Sequence, residues 1–335
     1  MGIEKQERPF IPGLIINITD DCNCKYCPPY GENLGKGNGD YDENAILYLI
    51  DVAKKHNVQQ VRFTGGEPLL KPERLKKILV SCEKAFKRLV LNTNGFFLHN
   101  HFNWLVDHRE QIVLKISFDI LKEERFNQLI QYPHFQVVHE NLISAIDENF
   151  NIELNVVLYD QTIEELVELI EFAVSKKIDL KFLTVSSYYG HVDSSKYCTD
   201  INSLLDFLIR QSSTVLIERL VGGRGVPMLV YHIDSTKVTL FDSRVKQSVT
   251  PLKNYFSKCE VECSQYPCDY GAFSMGVSTD GLLSVCRQKK NWGHNIFLQN
   301  PIEIEKLFLL CLKQFESCFE IDVNSLLIGG SQNVQ

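Results

Sequence analysis

From residue 10 to about 215, short runs of β-branched and aliphatic residues alternate with longer stretches whose apolar positions recur every three or four residues. The short runs are Leu14–Ile18, Gln60–Phe63, Arg88–Leu91, Ile112–Ser117, Ile152–Leu158 and Leu180–Val185, and they predict strands. The longer stretches are 42–56, 72–86, 98–107, 138–149, 162–176 and 200–212, and they predict amphipathic helices. Asp42-Glu43 opens the first helix, and Thr162 followed by Glu164-Glu165 supplies a capped start for a later one. Six β–α units in succession predict a parallel sheet with helices outside, and their right-handed crossovers curl such a sheet into a full or partial barrel.

Beyond residue 215 the pattern changes. Leu216–Val221, Met228–Ile233 and Lys237–Phe241 predict antiparallel strands around the turn Gly222-Gly223-Arg224-Gly225. Asp280-Gly281, set between Val277-Ser278 and Leu282-Leu283, predicts a hairpin. A helix over Ile302–Phe319 then precedes Leu326-Leu327-Ile328-Gly329-Gly330 and a polar tail. The expected organisation is a unit over 10–215 and a smaller one over 216–335.

At 335 residues and 44% hydrophobic content, the chain can bury a large core or two. Net charge is 35 − 42 = −7, so no general basic footprint for nucleic acid exists and an anionic substrate would need a local basic pocket. The charged start Met1–Gln6 lacks a signal-peptide core, and no apolar stretch approaches the ~20 residues of a membrane span. A cytoplasmic protein is expected, whose eleven cysteines are then poor candidates for disulfides.

The cysteines fall into groups. Cys22, Cys24 and Cys27 lie within six residues, just after the first predicted strand, and three thiols cannot all pair with one another. Thiolates at a strand end suit an iron–sulfur cluster, and three of them leave one iron open to an outside ligand; a zinc knuckle or chance clustering is the alternative. Cys259, Cys263 and Cys268 precede the hairpin and Cys286 follows it, so four thiolates can meet at its base, for a cluster or for zinc. Cys82, Cys198, Cys311 and Cys318 sit in apolar or helical contexts and read as packing residues. Polar residues end successive strands: Thr64-Gly65-Gly66-Glu67-Pro68, Asn92-Thr93-Asn94-Gly95, Ser117-Phe118-Asp119 and Asn155. Each alone reads as a turn or cap, whereas together they read as the rim of a binding site.

Cys24-Lys25-Tyr26-Cys27, the Gly65-Gly66-Glu67-Pro68 run and the ordered polar strand ends resemble the radical S-adenosylmethionine (radical SAM) enzymes. Thr19-Asp20-Asp21-Cys22-Asn23, Thr64–Leu70, Asn92–Gly95, Ile116–Asp119 with Glu124-Arg125-Phe126, Asn155–Val157, Thr279-Asp280-Gly281…Cys286 and Ile328-Gly329-Gly330 are similar to the GTP 3′,8-cyclase family of molybdenum-cofactor synthesis. The resemblance runs collinearly from about residue 12 to 330. It implies a partial (β/α)6 TIM-like barrel with a smaller C-terminal auxiliary-cluster domain of the twitch/SPASM kind. Cys22, Cys24 and Cys27 would hold a [4Fe–4S] cluster, and Gly65, Gly66 and Glu67 the SAM ammonium. Ser117, Asn155 and Thr93 would orient carboxylate and ribose, with Tyr26 near the adenine. Cys259, Cys263, Cys268 and Cys286 would hold an auxiliary [4Fe–4S] cluster. A flavodoxin- or ferredoxin-type donor would supply the electron.

The chain also departs from that family. Only Asn23 separates Cys22 from Cys24, where the family has three residues. Asp21, Lys71 and Lys181 stand where the resemblance leads one to expect arginines, and Cys268 is followed by Asp269-Tyr270-Gly271-Ala272 rather than by an arginine pair. A triphosphate needs a cationic cradle, so a diverged substrate, small molecule or peptide, is expected first. Lys71, Lys181, Arg224 and Arg287 are the candidate substrate contacts. The other readings are the cyclase itself, a maturase of ribosomal peptides, and a non-catalytic metal-binding paralogue.

Overall fold

The computed structural model describes residues 12–23, 40–130, 134–184, 200–218, 228–241, 252–264, 266, 272, 274–286 and 289–322. The first part of the chain runs β1 (Gly13–Thr19), α1 (Glu43–Lys55), β2 (Gln60–Gly65), α2 (Pro72–Cys82), β3 (Arg88–Thr93), α3 (Phe102–Leu105) and β4 (Ile112–Ser117). It continues with α4 (Glu123–Ile130), α5 (Phe135–Asp147), β5 (Asn151–Leu158), α6 (Ile163–Lys176) and β6 (Asp179–Thr184). Then follow α7 (Ile201–Gln211), β7 (Thr214–Glu218), β8 (Met228–Ile233), β9 (Thr236–Phe241), β10 (Leu252–Phe256) and α8 (Cys259–Glu262). The last elements are β11 (Ser274–Val277), β12 (Leu282–Ser284), β13 (His294–Asn295), α9 (Pro301–Glu316) and β14 (Cys318–Asp322).

Local chemistry sets the helix starts. Asp42 accepts from the Ala45 N–H at the head of α1, and Thr162 and Glu165 cap α6 reciprocally, each side chain taking the other's backbone N–H. The six central strands pair in parallel in chain order, β1 to β6, and one face of each is buried under the helices. On β4 and β5 that face is Leu114, Ile116, Leu154 and Val156, all fully buried. Period-two alternation turns Lys115, Ser117, Glu153, Asn155 and, on β6, Lys181 to the opposite face, the inside of the curl. Among the described residues the sheet does not close on itself: its order is β13-β12-β11-β1-β2-β3-β4-β5-β6-β9-β8-β7, an open, partial barrel.

Both ends are extended by strands from beyond residue 215. The β8–β9 hairpin joins by a parallel β9–β6 pairing, and the β11–β12 hairpin by a parallel β11–β1 pairing. Both hairpins were expected; their docking onto the two edges of the parallel sheet has no signature in their own sequences. The turn at 222–225 lies outside the described residues.

Three expectations need correction. The final helix ends at Glu316, and Cys318–Asp322 pairs antiparallel with β10, because Phe319 faces the fully buried Tyr255 there. The helix over 98–107 is a broken series of short turns rather than one amphipathic helix. And α4 carries no predicted counterpart: it is short, with acidic Glu123 and Glu124 in its first turn and a narrow apolar face that includes the buried Phe126. No helix among the described residues is long and apolar enough to cross a membrane.

Candidate active site at the strand ends

The ends of β1 and β2 meet through the main chain. Gly66 N–H donates to Thr19 O at 2.6 Å and Glu67 N–H to Asp21 O at 2.7 Å, which pins the segment leading into Cys22. The two glycines are what permit this. A Cβ on Gly66 would lie 1.9 Å from Asp21 O, and one on Gly65, whose φ is +127°, would lie 2.3 Å from Thr19 O. Cys22 emerges from this clamp with its side chain exposed. Asp20 accepts from Thr279 Oγ1 at 2.6 Å, tying the same segment to the β11–β12 hairpin.

Glu67 is 1% exposed and works as a knot between strands. Its Oε1 accepts from Leu69 N–H at 3.0 Å and Thr93 Oγ1 at 2.9 Å, and its Oε2 from Asn94 N–H at 2.7 Å. Burial pushes its carboxyl up to about 7 against these three donors. Thr93 Oγ1 also accepts from Gly95 N–H at 3.1 Å, so its hydroxyl is committed within the protein. Asn94 reaches across to the cysteine segment, its Nδ2 donating to Asn23 Oδ1 at 2.6 Å.

On the next strands the register aligns Ser117, Asn155 and Lys181 as neighbours in one layer. Asn155 Oδ1 is buried and has no hydrogen-bond partner among the described residues. One layer deeper, Lys115 and Glu153 face each other in an ion pair, 8% and 14% exposed, with Arg88 at 3.7 Å from Glu153 Oε2. Burial alone would raise the Glu153 carboxyl, but Lys115, joined by Lys181 and Arg88, carries it well below the usual carboxylate range. Burial and the neighbouring Lys181 and Arg62 lower Lys115 in turn, against the pull of Glu153. Sequence reading missed this pair; charged residues at alternate positions of two central strands are the available signal.

Lys71 stands at the start of α2 with its Nζ 3.0 Å from Asp21 Oδ2, and the ammonium's hydrogen bond holds the Asp21 carboxyl below its usual range. Tyr26, Cys24, Cys27, Cys268, Arg224 and Arg287 lie outside the described residues. Of the C-terminal thiols, Cys259 is buried in α8, Cys263 caps it with its N–H on Cys259 O, and Cys286 is half-buried two residues after β12. Among the described residues no three His, Cys, Asp or Glu side chains converge on one metal-sized point. Cys82 and Cys311 are buried packing residues whose thiols burial raises to about 12 each. Cys318 is half-buried, and Cys198 lies outside the described residues.

An exposed Cys22, just beyond the segment the glycine clamp pins, thus shares the strand ends with a buried amide oxygen that has no partner among the described residues. The profile of the Radical SAM superfamily matches residues 16–173, and this stretch is a radical SAM domain. Such a domain implies a [4Fe–4S] cluster and SAM. The chain is similar to GTP 3′,8-cyclase of Clostridium perfringens, 29% identical over 182 residues that cover 51% of this chain and 54% of that one. It thus spans about half the length of that relative. GTP 3′,8-cyclase of Campylobacter jejuni is 28% identical over 247 residues, 68% of this chain and 72% of that one. In fold it is similar to SuiB of Streptococcus suis bound to the precursor peptide SuiA, with TM-score 0.61 and 16% identity, covering 90% of this chain and 65% of that one.

The residues present fit both groups. Cys22 offers an accessible thiol at the strand end, and Asn155 Oδ1 offers a buried acceptor that only a donor from outside the described protein groups would satisfy.

Proposed function

We propose that this protein is a radical SAM enzyme that abstracts hydrogen from a small-molecule or peptide substrate. Cys22, Cys24 and Cys27 would hold the [4Fe–4S] cluster, and bound SAM, reductively cleaved, would supply a 5′-deoxyadenosyl radical. The observation that carries this reading is the placement of Cys22. It is exposed, directly after the Thr19–Asp21 segment that the Gly66 and Glu67 N–H groups pin, at the strand ends where Asn155 keeps a buried acceptor unpartnered among the described residues. The carbonyls of the glycine clamp and the strand end would take the methionine ammonium. Ser117 and Asn155 would take the carboxylate and ribose hydroxyls, and Tyr26 would lie by the adenine. Glu67 and Thr93 act from behind, fixing the clamp and the end of β3, since their polar atoms are bonded to each other and to Leu69, Asn94 and Gly95. The inward walls of the barrel orient the substrate carbon and exclude water.

We assign the segment from 216 onward to an auxiliary [4Fe–4S] site built from Cys259, Cys263, Cys268 and Cys286, with substrate docking toward it. Lys181, Arg224 and Arg287 are the proposed substrate contacts, an electron donor of the flavodoxin or ferredoxin type is the proposed partner, and the cytoplasm the proposed compartment. Peptide substrates are supported by the fold likeness to a protein solved with its precursor peptide. Cyclase activity on GTP is the second reading, supported by the curated relatives. The Asp21–Lys71 pair weighs against it, because the cation beside Cys22 is already matched by a carboxylate.

The test is anaerobic reconstitution with iron and sulfide, an iron count, and an assay of 5′-deoxyadenosine release with SAM and dithionite. About eight irons, falling to about four with release abolished in a Cys22/Cys24/Cys27 triple alanine variant, is the expected result. No release, with metal content unchanged by the triple substitution, overturns the reading and leaves a metal-binding scaffold. Release that rises on adding GTP would favour the cyclase.

A further inference from the structure

The shortened cysteine loop contains one residue, Asn23, between its first two thiols, and the structure fixes which way that side chain faces. The orientation follows from a chain of hydrogen bonds. Phe96 N–H donates to Asn94 Oδ1 at 3.0 Å, so the other end of the Asn94 amide must be its NH2. That NH2 meets Asn23 Oδ1 at 2.6 Å, which makes this atom an acceptor and turns the Asn23 NH2 away. Asn94 is itself held, its N–H donating to Glu67 Oε2 at 2.7 Å. The Asn23 Nδ2 is left buried and without a hydrogen-bond partner among the described residues. Buried donors are almost always satisfied, and an amide forced into this position calls for an acceptor that binds there. Asn23 is flanked in sequence by Cys22 and Cys24, whose sulfurs, once they hold a cluster, are the acceptors this proposal takes up.

We propose that Asn23 is a positioning residue of the first cluster, donating its side-chain N–H to a cluster sulfur or cysteine thiolate while Asn94 holds its other end. This rests on the cluster assignment made above. An N–H donor favours the reduced cluster, which carries one more negative charge, so it raises the reduction potential. It also gives the two-residue shortening a counterpart elsewhere in the fold. With fewer residues to shape the loop, a side-chain tie from β3 through Asn94 holds its middle.

The experiment uses the full chain, reconstituted anaerobically, as parent and as Asn23→Asp and Asn23→Ala. Asn23→Asp keeps an acceptor for Asn94 but replaces the donor with a carboxylate oxygen and adds a negative charge; Asn23→Ala removes donor and acceptor without adding charge. Three readouts are taken: iron content, the midpoint potential of the EPR signal that responds to SAM, and the exchangeable-proton coupling of that signal before and after transfer to D2O. Both variants are expected to hold as much iron as the parent, to titrate at a more negative potential, and to lack an exchangeable coupling that the parent shows. Should Asn23→Ala fail to take up iron, Asn23→Asp decides by the exchangeable coupling alone, since its added charge moves the potential in any case. Iron retained, with the coupling still present and the potential of Asn23→Ala unchanged, overturns this proposal alone. A parent that takes up no iron at this site overturns the cluster assignment along with it.

Discussion

At the ends of β1, β2 and β3 the side chains of the rim bond to one another, whereas on β4 and β5 the Ser117 hydroxyl and the Asn155 amide oxygen take no such bond among the described residues, although Asp119 just beyond them accepts from Val157 N–H. Glu67 takes three donors, Thr93 is bonded on both sides, and the Gly66 and Glu67 N–H groups go to Thr19 and Asp21. Across the same sheet, Ser117 makes no side-chain hydrogen bond among the described residues, and Asn155 keeps a buried acceptor unpartnered. Both stretches looked alike in sequence, as polar residues closing apolar strands. The difference teaches that one half of the rim builds the loop that presents Cys22, and the other half is kept open for what binds. Substitutions in the first half should therefore cost stability, and those in the second should cost ligand affinity.

The comparison can be broken most forcefully one layer below the rim. Glu153→Gln leaves the Lys115 ammonium buried without its carboxylate, and a loss of about 3–5 kcal/mol is expected in denaturant unfolding. A near-neutral result would mean that Lys115 sheds its proton at little cost and that the pair is not a structural element. The next effect belongs to Glu67. Its folded-state value of about 7 lies above the ordinary glutamate value of 4.5, so the native state holds the proton more tightly. Its contribution is present in full below about 4.5 and is lost as pH rises through about 7, by roughly 3 kcal/mol. Thermal unfolding of the protein before cluster loading should thus weaken over that window, and Glu67→Gln should flatten the slope. An unchanged slope in the variant would assign the pH dependence to another group.

Gly66→Ala places a Cβ against Asp21 O, and about 1–3 kcal/mol of destabilisation is expected, with iron uptake reduced because the Cys22 segment must shift. Full iron uptake by this variant would show that the clamp is dispensable. The smallest stability effect should come from Asn155→Ala, within about 0.5 kcal/mol, since its side-chain oxygen bonds to nothing among the described residues. SAM affinity, read by equilibrium binding to the reconstituted protein, should fall about tenfold, the loss of one hydrogen bond of about 1.4 kcal/mol. A variant that is destabilised but binds SAM normally would reverse the division between the two halves of the rim.

Much of this was legible along the chain because it depends on local chemistry. The six strands and most helices follow from apolar periodicity, the α1 and α6 starts from Asp42 and the Thr162–Glu165 box, and the β11–β12 turn from Asp280-Gly281. The Gly65-Gly66-Glu67 run was legible as a site element only together with the other polar strand ends, since a glycine pair alone reads as a turn. What approaches it was not legible. The carbonyls of Thr19 and Asp21 fill that space, and only the β1–β2 register, shifted by an irregularity between Asn17 and Thr19, brings them there. The short α4 and the switch from α9 to β14 were missed because an apolar residue such as Phe319 satisfies a helix face and a strand pair equally well. The sequence by itself determined the strand–helix alternation, the cysteine spacing and the residues offered at each strand end. Tertiary structure alone decided that Lys115 meets Glu153, that Lys71 is matched by Asp21, and that Asn94 turns Asn23. Each is a contact between residues tens of positions apart, made by sheet register and burial rather than by any local preference.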